Sequence, residues 1–246
     1  MGSAFSAVGL LTIVPVPAAT SRDTSRLGRA AAFFPLVGLL LGAAAAALDA
    51  GLRQVLPISV ASAIVLVVLA LATGGLHLDG LADTADGLFA RGGRTERLAA
   101  MRDSRTGAFG VGAIALVLLT EFAALERVGS AERATALVVG ATLSRGAMAE
   151  ALRWFAPARA DGLAAAFAGG VRGIDAAVAG AVMALVAGAL APAGTAIVAL
   201  SLALGVAIAV GSLARVRVGG ITGDVCGAIG EIVFACELVA FSAGHA

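Results

Sequence analysis

Three aspartates stand close together in the run His77-Leu78-Asp79-Gly80-Leu81-Ala82-Asp83-Thr84-Ala85-Asp86-Gly87. On a helix their i, i+4, i+7 spacing keeps them within about 60° of one another, with Leu81, Ala85 and Leu88 on the other side. Carboxylates converging on one face repel, and a hard divalent cation such as Mg²⁺ or Mn²⁺ relieves the repulsion by taking oxygen ligands. A merely solvated face would mix signs, but here the basic residues come only after the acids. A metal site built on Asp79, Asp83 and Asp86 is therefore expected; the spacing of an EF-hand loop and its closing Glu are missing. Further on, Met101-Arg102-Asp103-Ser104-Arg105-Thr106-Gly107 sets a fourth carboxylate between two guanidinium forks that match phosphate oxygens. Acids for a metal beside arginines for phosphate point to metal-assisted phosphoryl transfer. A third polar cluster, Gly219-Gly220-Ile221-Thr222-Gly223-Asp224, has glycines that let a phosphate or nucleotide approach the backbone; Asp224 can equally cap a helix. His77 is a ligand, a base or an interfacial donor. His245, in the tail, enters no motif.

Strongly apolar elements must carry these groups. Of 246 residues 60% are hydrophobic and 13% charged, and mean hydropathy is +1.00. A soluble core of this length does not need so many apolar residues, and a disordered chain would have far fewer. Spans of about 20 apolar residues are predicted at 30–48, 55–76, 107–125, 134–152 and 225–243. The uncharged run 176–214 would form one helix about 58 Å long, nearly twice the hydrocarbon thickness, so it folds back at Ala191-Pro192-Ala193-Gly194. The prediction is an all-α polytopic integral membrane protein, one membrane domain over residues 1–246. It has about seven transmembrane helices, or six if the fourth is buried in protein, and an amphipathic acidic helix at the cytoplasmic face. Residues 79–106 are the catalytic segment. Residues 4–14 are apolar, but the first basic residue, Arg22, follows them, the reverse of a signal peptide; an interfacial or re-entrant segment is expected.

All 17 basic residues are arginine. With 79–106 in the cytoplasm, thirteen lie on that side, Arg53, Arg127 and Arg133 lie opposite, and Arg145 falls inside a span, a clear positive-inside bias. The net charge of +1 provides no field to attract nucleic acid. Cys226 and Cys236 would lie about 15 Å apart on one helix, too far to pair with each other. Composition leaves the oligomeric state open, a homo-oligomer included. Arg145 needs a partner at its depth. Glu231 matches best, Glu150 points elsewhere and Glu121 is too deep; a phosphate-binding role in a cavity opening to the acidic helix competes with that pairing and is the expectation.

Together these residues resemble the cobalamin 5′-phosphate synthase family, the adenosylcobinamide-GDP ribazoletransferases. Residues 33–42 look like its first-span motif, 74–87 its acidic signature, 101–110 its Arg-Asp-Ser-Arg and Gly-Phe-Gly region, and 219–228 its last motif; Ser144-Arg145 and 157–167 match more loosely. The resemblance covers almost the whole chain, and 74–110 is its specific part. It implies Mg²⁺-dependent transfer of a phosphocobinamide group from adenosylcobinamide-GDP to α-ribazole or its 5′-phosphate, with release of GMP, at the cytoplasmic side of a bacterial inner membrane. It implies Arg145 and Arg159 as phosphate clamps beside Arg102 and Arg105, with Thr222 and Asp224 as further substrate contacts. Asp103 would complete the metal site or, as an alternative to Asp86, take the ribazole hydroxyl proton. Residues 83–91 also echo the first half of the CDP-alcohol phosphotransferase signature. Ala100, Ser104 and Ala108 stand where that signature needs Gly, Asp and Asp, and Asp103 is one residue out of register, so phospholipid synthesis is the second reading. A cation-coupled transporter is the third; such sites usually lie near the midplane on broken helices.

Overall fold

Three of the apolar helices start at proline. Pro35 lies in the first turn of one, and Pro57 and Pro192 immediately precede two others. A first turn has no intrahelical acceptor for its N–H groups, so a missing N–H costs nothing there. The computed structural model describes residues 2–16, 24–167 and 169–243; Arg22, the side chain of Arg26 and His245 lie outside them. The helices are α1 (Gly2–Leu11), α2 (Thr24–Ala30), α3 (Phe34–Leu52), α4 (Ile58–Ala72), α5 (Leu76–Phe89), α6 (Arg94–Ala100), α7 (Ala108–Arg127), α8 (Arg133–Trp154), α9 (Leu163–Phe167), α10 (Gly173–Leu190), α11 (Ala193–Val218) and α12 (Gly223–Ala243). Among the described residues there is no strand, only a single parallel bridge between Pro157 and Ile221.

The all-helical membrane fold is as anticipated. Five segments are long and apolar enough to cross a bilayer: Leu27–Leu52, α7, α10, α11 and α12. The bent pair α4–α5 makes a sixth if counted as one. The break at Ala191-Pro192 falls where the long uncharged run was expected to turn. α1 has ten residues and is too short to cross; the Ile13 N–H, just beyond it, donates to the Ala72 carbonyl at the end of α4.

α8 stands apart. Its residues 136–151 are buried without interruption, because α3, α10, α11 and α12 pack around it. It meets protein rather than lipid, which is how a 22-residue helix carries Arg133, Arg145 and Glu150 inside so apolar a molecule. The count of seven requires α8 to be included. Its contact with α3 is made on backbone: a Cβ on Gly42 would lie 2.7 Å from the Leu137 carbonyl oxygen, and one on Gly38 would overlap the Ala141 carbonyl. Small residues four apart allow helices in lipid this close an approach.

One end of the bundle is locked by charge. Arg133, fully buried, donates to both Asp49 oxygens, to Ser62 Oγ and to the Leu125 carbonyl. Arg53 Nε donates to Asp49 Oδ2 at 2.8 Å. This network joins α3, α4, α8 and the C-terminal part of α7 and places Arg53 and Arg133 together, as the arginine distribution anticipates. The acidic sequence lies at the other end.

Candidate functional site

The acidic helix is the second arm of a broken one. α4 and α5 meet at 86° across Gly74 and Gly75, whose φ angles of +62° and +71° suit glycine because no Cβ clashes there. α5 packs against both α12 and α7 and runs antiparallel to both. His77 and Gly80 pack on Gly227, and Gly80 lies so close to Asp224 that a Cβ would stand 2.8 Å from the Asp224 carbonyl oxygen. Ala82 and Asp86 meet Gly110 in the first turn of α7. The anticipated inward positions Leu81, Ala85 and Leu88 are buried, and so are Gly80, Ala82, Thr84 and Gly87.

This arrangement delivers the aspartates to two helix N-termini, where the helix dipole favours negative charge. Asp86 Oδ2 accepts the Gly107 N–H at 2.6 Å and its Oδ1 accepts the Gly110 N–H at 2.9 Å. Asp224 sits in the first turn of α12, but the cap is Thr222, whose Oγ1 accepts the Val225 N–H at 3.2 Å while its hydroxyl donates to Asp224 Oδ2 at 3.0 Å. Asp224 is thereby free to face α5. The charges acting on Asp83 are those of Asp79, Asp224 and Asp86, opposed by Arg159. Asp224, expected as a substrate contact, thus joins the carboxylates.

Arg159 Nη2 donates to Asp224 Oδ2 at 3.1 Å. Its segment is held by two strand-like hydrogen bonds, Ile221 N–H to the Ala156 carbonyl and Ala158 N–H to the Ile221 carbonyl. Arg94, which the sequence reading did not single out, donates to the carbonyls of Val218 and Ala158. Arg94, Arg102 and Arg159 line an open hollow of about 590 Å³ with Asp161, whose carboxylate accepts both hydrogen bonds from Arg102 Nη2. Asp103 is elsewhere engaged: Arg105 grips it through Nε at 3.1 Å, Nη2 at 2.9 Å and its backbone N–H at 3.0 Å. This pairing holds the Asp103 carboxyl down at about 2, and a carboxylate so stabilised is a weak proton acceptor near neutral pH.

Arg145 lies deeper. Its Nη1 donates to Ser144 Oγ at 2.7 Å and its Nη2 approaches His77 Nδ1 at 3.4 Å. The charges of Glu231 and Glu121 both act on it, and the three residues line one small cavity of about 20 Å³. Glu121, judged too deep from its place on α7, is therefore within range of Arg145. Glu150 faces Gly180 instead.

Beside the acids lies a mainly apolar cavity of about 150 Å³, walled by α1, α9 and the start of α3 through Leu10, Leu11, Leu163, Phe167 and Phe34, with Asp79 and Asp224 also on its lining. Oxygen donors of this kind suit a hard divalent cation. Among the described residues, however, no three His, Cys, Asp or Glu side chains are arranged to hold a metal ion; Asp86 spends both oxygens on backbone N–H groups. Cys226 and Cys236 are both free on α12, as their spacing requires.

The fold and site define a polytopic, all-helical membrane protein whose acidic and basic side chains meet at one end of the bundle. The model of the family described as cobalamin-5-phosphate synthase matches residues 3–242, and the chain belongs to that family. It is 43% identical over 175 residues to an adenosylcobinamide-GDP ribazoletransferase of Geotalea daltonii, covering 71% of this chain and 70% of the relative. It is 39% identical to one of Azorhizobium caulinodans, over 92% of this chain and 88% of the relative, and 34% identical to one of Escherichia coli, over 94% and 97%. No solved structure matches the chain significantly. The chain is thus a multi-pass membrane member of a transferase family of cobalamin synthesis, and phospholipid synthesis and transport drop behind that reading, although α4–α5 is a broken helix of the kind transporters use.

Proposed function

We propose that the chain transfers the phosphocobinamide group of adenosylcobinamide-GDP to α-ribazole or its 5′-phosphate. A ribazole hydroxyl oxygen bonds to the phosphorus on the cobinamide side of the diphosphate, the bridging P–O bond breaks, and GMP leaves. The observation that carries this reading, beside the family, is the meeting of α5's aspartates with Asp224 and Arg159 next to the arginine-lined hollow. A Mg²⁺ ion, when bound, would neutralise the diphosphate; with no preformed set of three protein ligands among the described residues, its oxygen ligands would come largely from the diphosphate itself, with Asp79, Asp83 and Asp224 as the neighbouring carboxylates. Arg159, Arg102 and Arg94 supply guanidinium donors to phosphate oxygens. The ribazole hydroxyl proton passes to a carboxylate of the cluster, and Asp83, beside three other acids, is better placed for it than Asp103. Asp86 anchors the start of α7 to α5 and keeps the cluster in register. Purified protein in detergent, given adenosylcobinamide-GDP and α-ribazole, is expected to release GMP only with a divalent cation. Release unaffected by chelation sinks the metal, and no release sinks the reaction.

The excess of arginines at this end of the bundle supports a site on the cytoplasmic side of an inner membrane. α11, 26 residues long, spans about 39 Å, and its C-terminal end carries Val218, the carbonyl partner of Arg94. Single cysteines at exposed Thr95 and Ala193, in a chain lacking Cys226 and Cys236, are expected to react with an impermeant maleimide from opposite sides, Thr95→Cys only from the cytoplasm. Labelling of both from one side overturns this topology.

A further inference from the structure

The open hollow beside the acids has one lining group that a phosphate site does not call for. Arg94, Arg102 and Arg159 give it positive charge, Leu98 and Ala99 give it apolar surface, and Asp161 is the single acid among its lining residues. A carboxylate there repels phosphate. Its partnership with Arg102 does not explain its presence. The two side chains are 54% and 70% exposed, and ion pairs so exposed add little to stability. The pair also leaves Asp161 open to a ligand. Arg102 reaches both carboxylate oxygens through one nitrogen, Nη2, at 2.7 and 2.6 Å. An ionised carboxylate accepts at about four lone-pair sites, so each oxygen keeps one. Arg94 is spent on the carbonyls of Val218 and Ala158. Arg159 turns to Asp224 and marks the end of the hollow next to α5. The volume of about 590 Å³ lies within the roughly 300–1,000 Å³ of a pocket for a drug-sized molecule, so it holds more than a phosphate.

Resting on the transferase reading above, we infer that Asp161 selects the guanine base of the donor, its two oxygens accepting from N1–H and from the N2 amino group. The ring then lies against Leu98 and Ala99, and the diphosphate runs toward Arg159 and the acids. Hydrogen-bond chemistry selects this base. A carboxylate can only accept, and guanine alone among the common bases sets two donors side by side on one edge. Adenine and cytosine place a ring acceptor beside their amino group, and that acceptor would face the carboxylate's lone pairs. Uracil has one N–H between two carbonyls. A site built to hydrogen-bond a particular group rejects analogues that lack it.

Two roles for Asp161 give opposite signs on removal of its charge. A mere counter-ion of Arg102 would, when neutralised, free a cation and tighten every nucleotide whatever its base. A reader of guanine would weaken guanine alone. Equilibrium dialysis of guanosine, inosine, xanthosine and adenosine monophosphates against the full chain in lipid nanodiscs, at fixed Mg²⁺, separates them. Wild type is expected to hold GMP about tenfold or more tighter than the inosine nucleotide, which lacks the N2 amino group. Asp161→Asn is expected to weaken GMP about tenfold or more and to leave AMP no weaker than in wild type. It should also gain affinity for the xanthosine nucleotide, whose C2 carbonyl matches an amide N–H, and AMP should not share that gain. In turnover, KM for adenosylcobinamide-GDP should rise about tenfold with kcat within about threefold, because Asp161 does not touch the reacting atoms. The exposure of Asp161 and the matched shape of Asn leave folding little affected. The inference is overturned if all the nucleotides shift together in Asp161→Asn, or if wild type holds AMP as tightly as GMP. Absence of GMP release by wild type refutes the transferase reading instead, and the dialysis still reports whether Asp161 distinguishes the bases.

Discussion

Asp83→Asn is expected to lower GMP release by at least about a thousandfold while raising the melting temperature of the metal-free protein. The first effect follows if Asp83 helps to hold the cation, which supplies several kcal/mol of charge stabilisation in phosphoryl transfer. The second follows from the geometry. Asp79, Asp224 and Asp86 press negative charge on Asp83 and only Arg159 opposes them, so a neutral amide relieves repulsion. Asp86→Asn is expected to be as inactive but to melt earlier. Asp86 accepts one backbone N–H on each oxygen, an amide has a single acceptor oxygen, and an N–H left unpaired costs about 1–3 kcal/mol. GMP release and thermal melts with and without Mg²⁺ separate the two residues. Activity retained in Asp83→Asn with unchanged Mg²⁺ dependence would refute a role for Asp83 at the metal.

Arg145→Met should unfold the protein early, by about 3–5 kcal/mol, the usual effect of stripping a buried charge of its counter-ion. It leaves Glu231 and Glu121 facing each other with no cation between them, and it removes the group that sets the His77 tautomer. Glu231→Leu in the same chain should recover most of the lost stability, a coupling that a double-mutant cycle measures. Arg145 lines the small buried cavity and not the open hollow of Arg94, Arg102 and Arg159, which is why the larger effect is placed on folding. If Arg145→Met instead melts normally and loses turnover, Arg145 binds substrate phosphate, as its sequence position suggests.

The helical spans were legible because an apolar run of about 20 residues has few alternatives in a membrane, and Pro192 marked the one concealed turn. The inward face of α5 was legible from the spacing of Leu81, Ala85 and Leu88. The role of Asp224 was not, because nothing local says that Gly80 lets α5 lie against the first turn of α12. Thr222 takes the capping role that Asp224 could have filled, and that exchange is settled only by how the two helices meet. Asp103 shows the converse: its place between Arg102 and Arg105 does not reveal that Arg105 turns back on it while Arg102 reaches Asp161. Depth along separate helices is also a poor guide to contact, as Glu121 shows. Arg94 gave no signal at all, since its partners are backbone carbonyls 64 and 124 residues away.

The enclosure of α8 has a consequence for how the chain enters the membrane. A helix centre carrying Arg145 is unfavourable to release into lipid by itself, by about 2.5–3.5 kcal/mol for the arginine alone. α8 has no lipid-facing stripe to offset that, since its residues 136–151 all meet protein. Its closest partner, α3, is synthesised earlier, and their contact at Gly38 and Gly42 needs only backbone surfaces that are present as soon as both helices exist. α8 would therefore enter as a guest of a partly built bundle, joining α3 first, with α10, α11 and α12 closing around it. Bulky substitutions at Gly38 or Gly42 would then act during synthesis, as failed insertion and proteolysis of the nascent chain, before any folded enzyme exists to be destabilised.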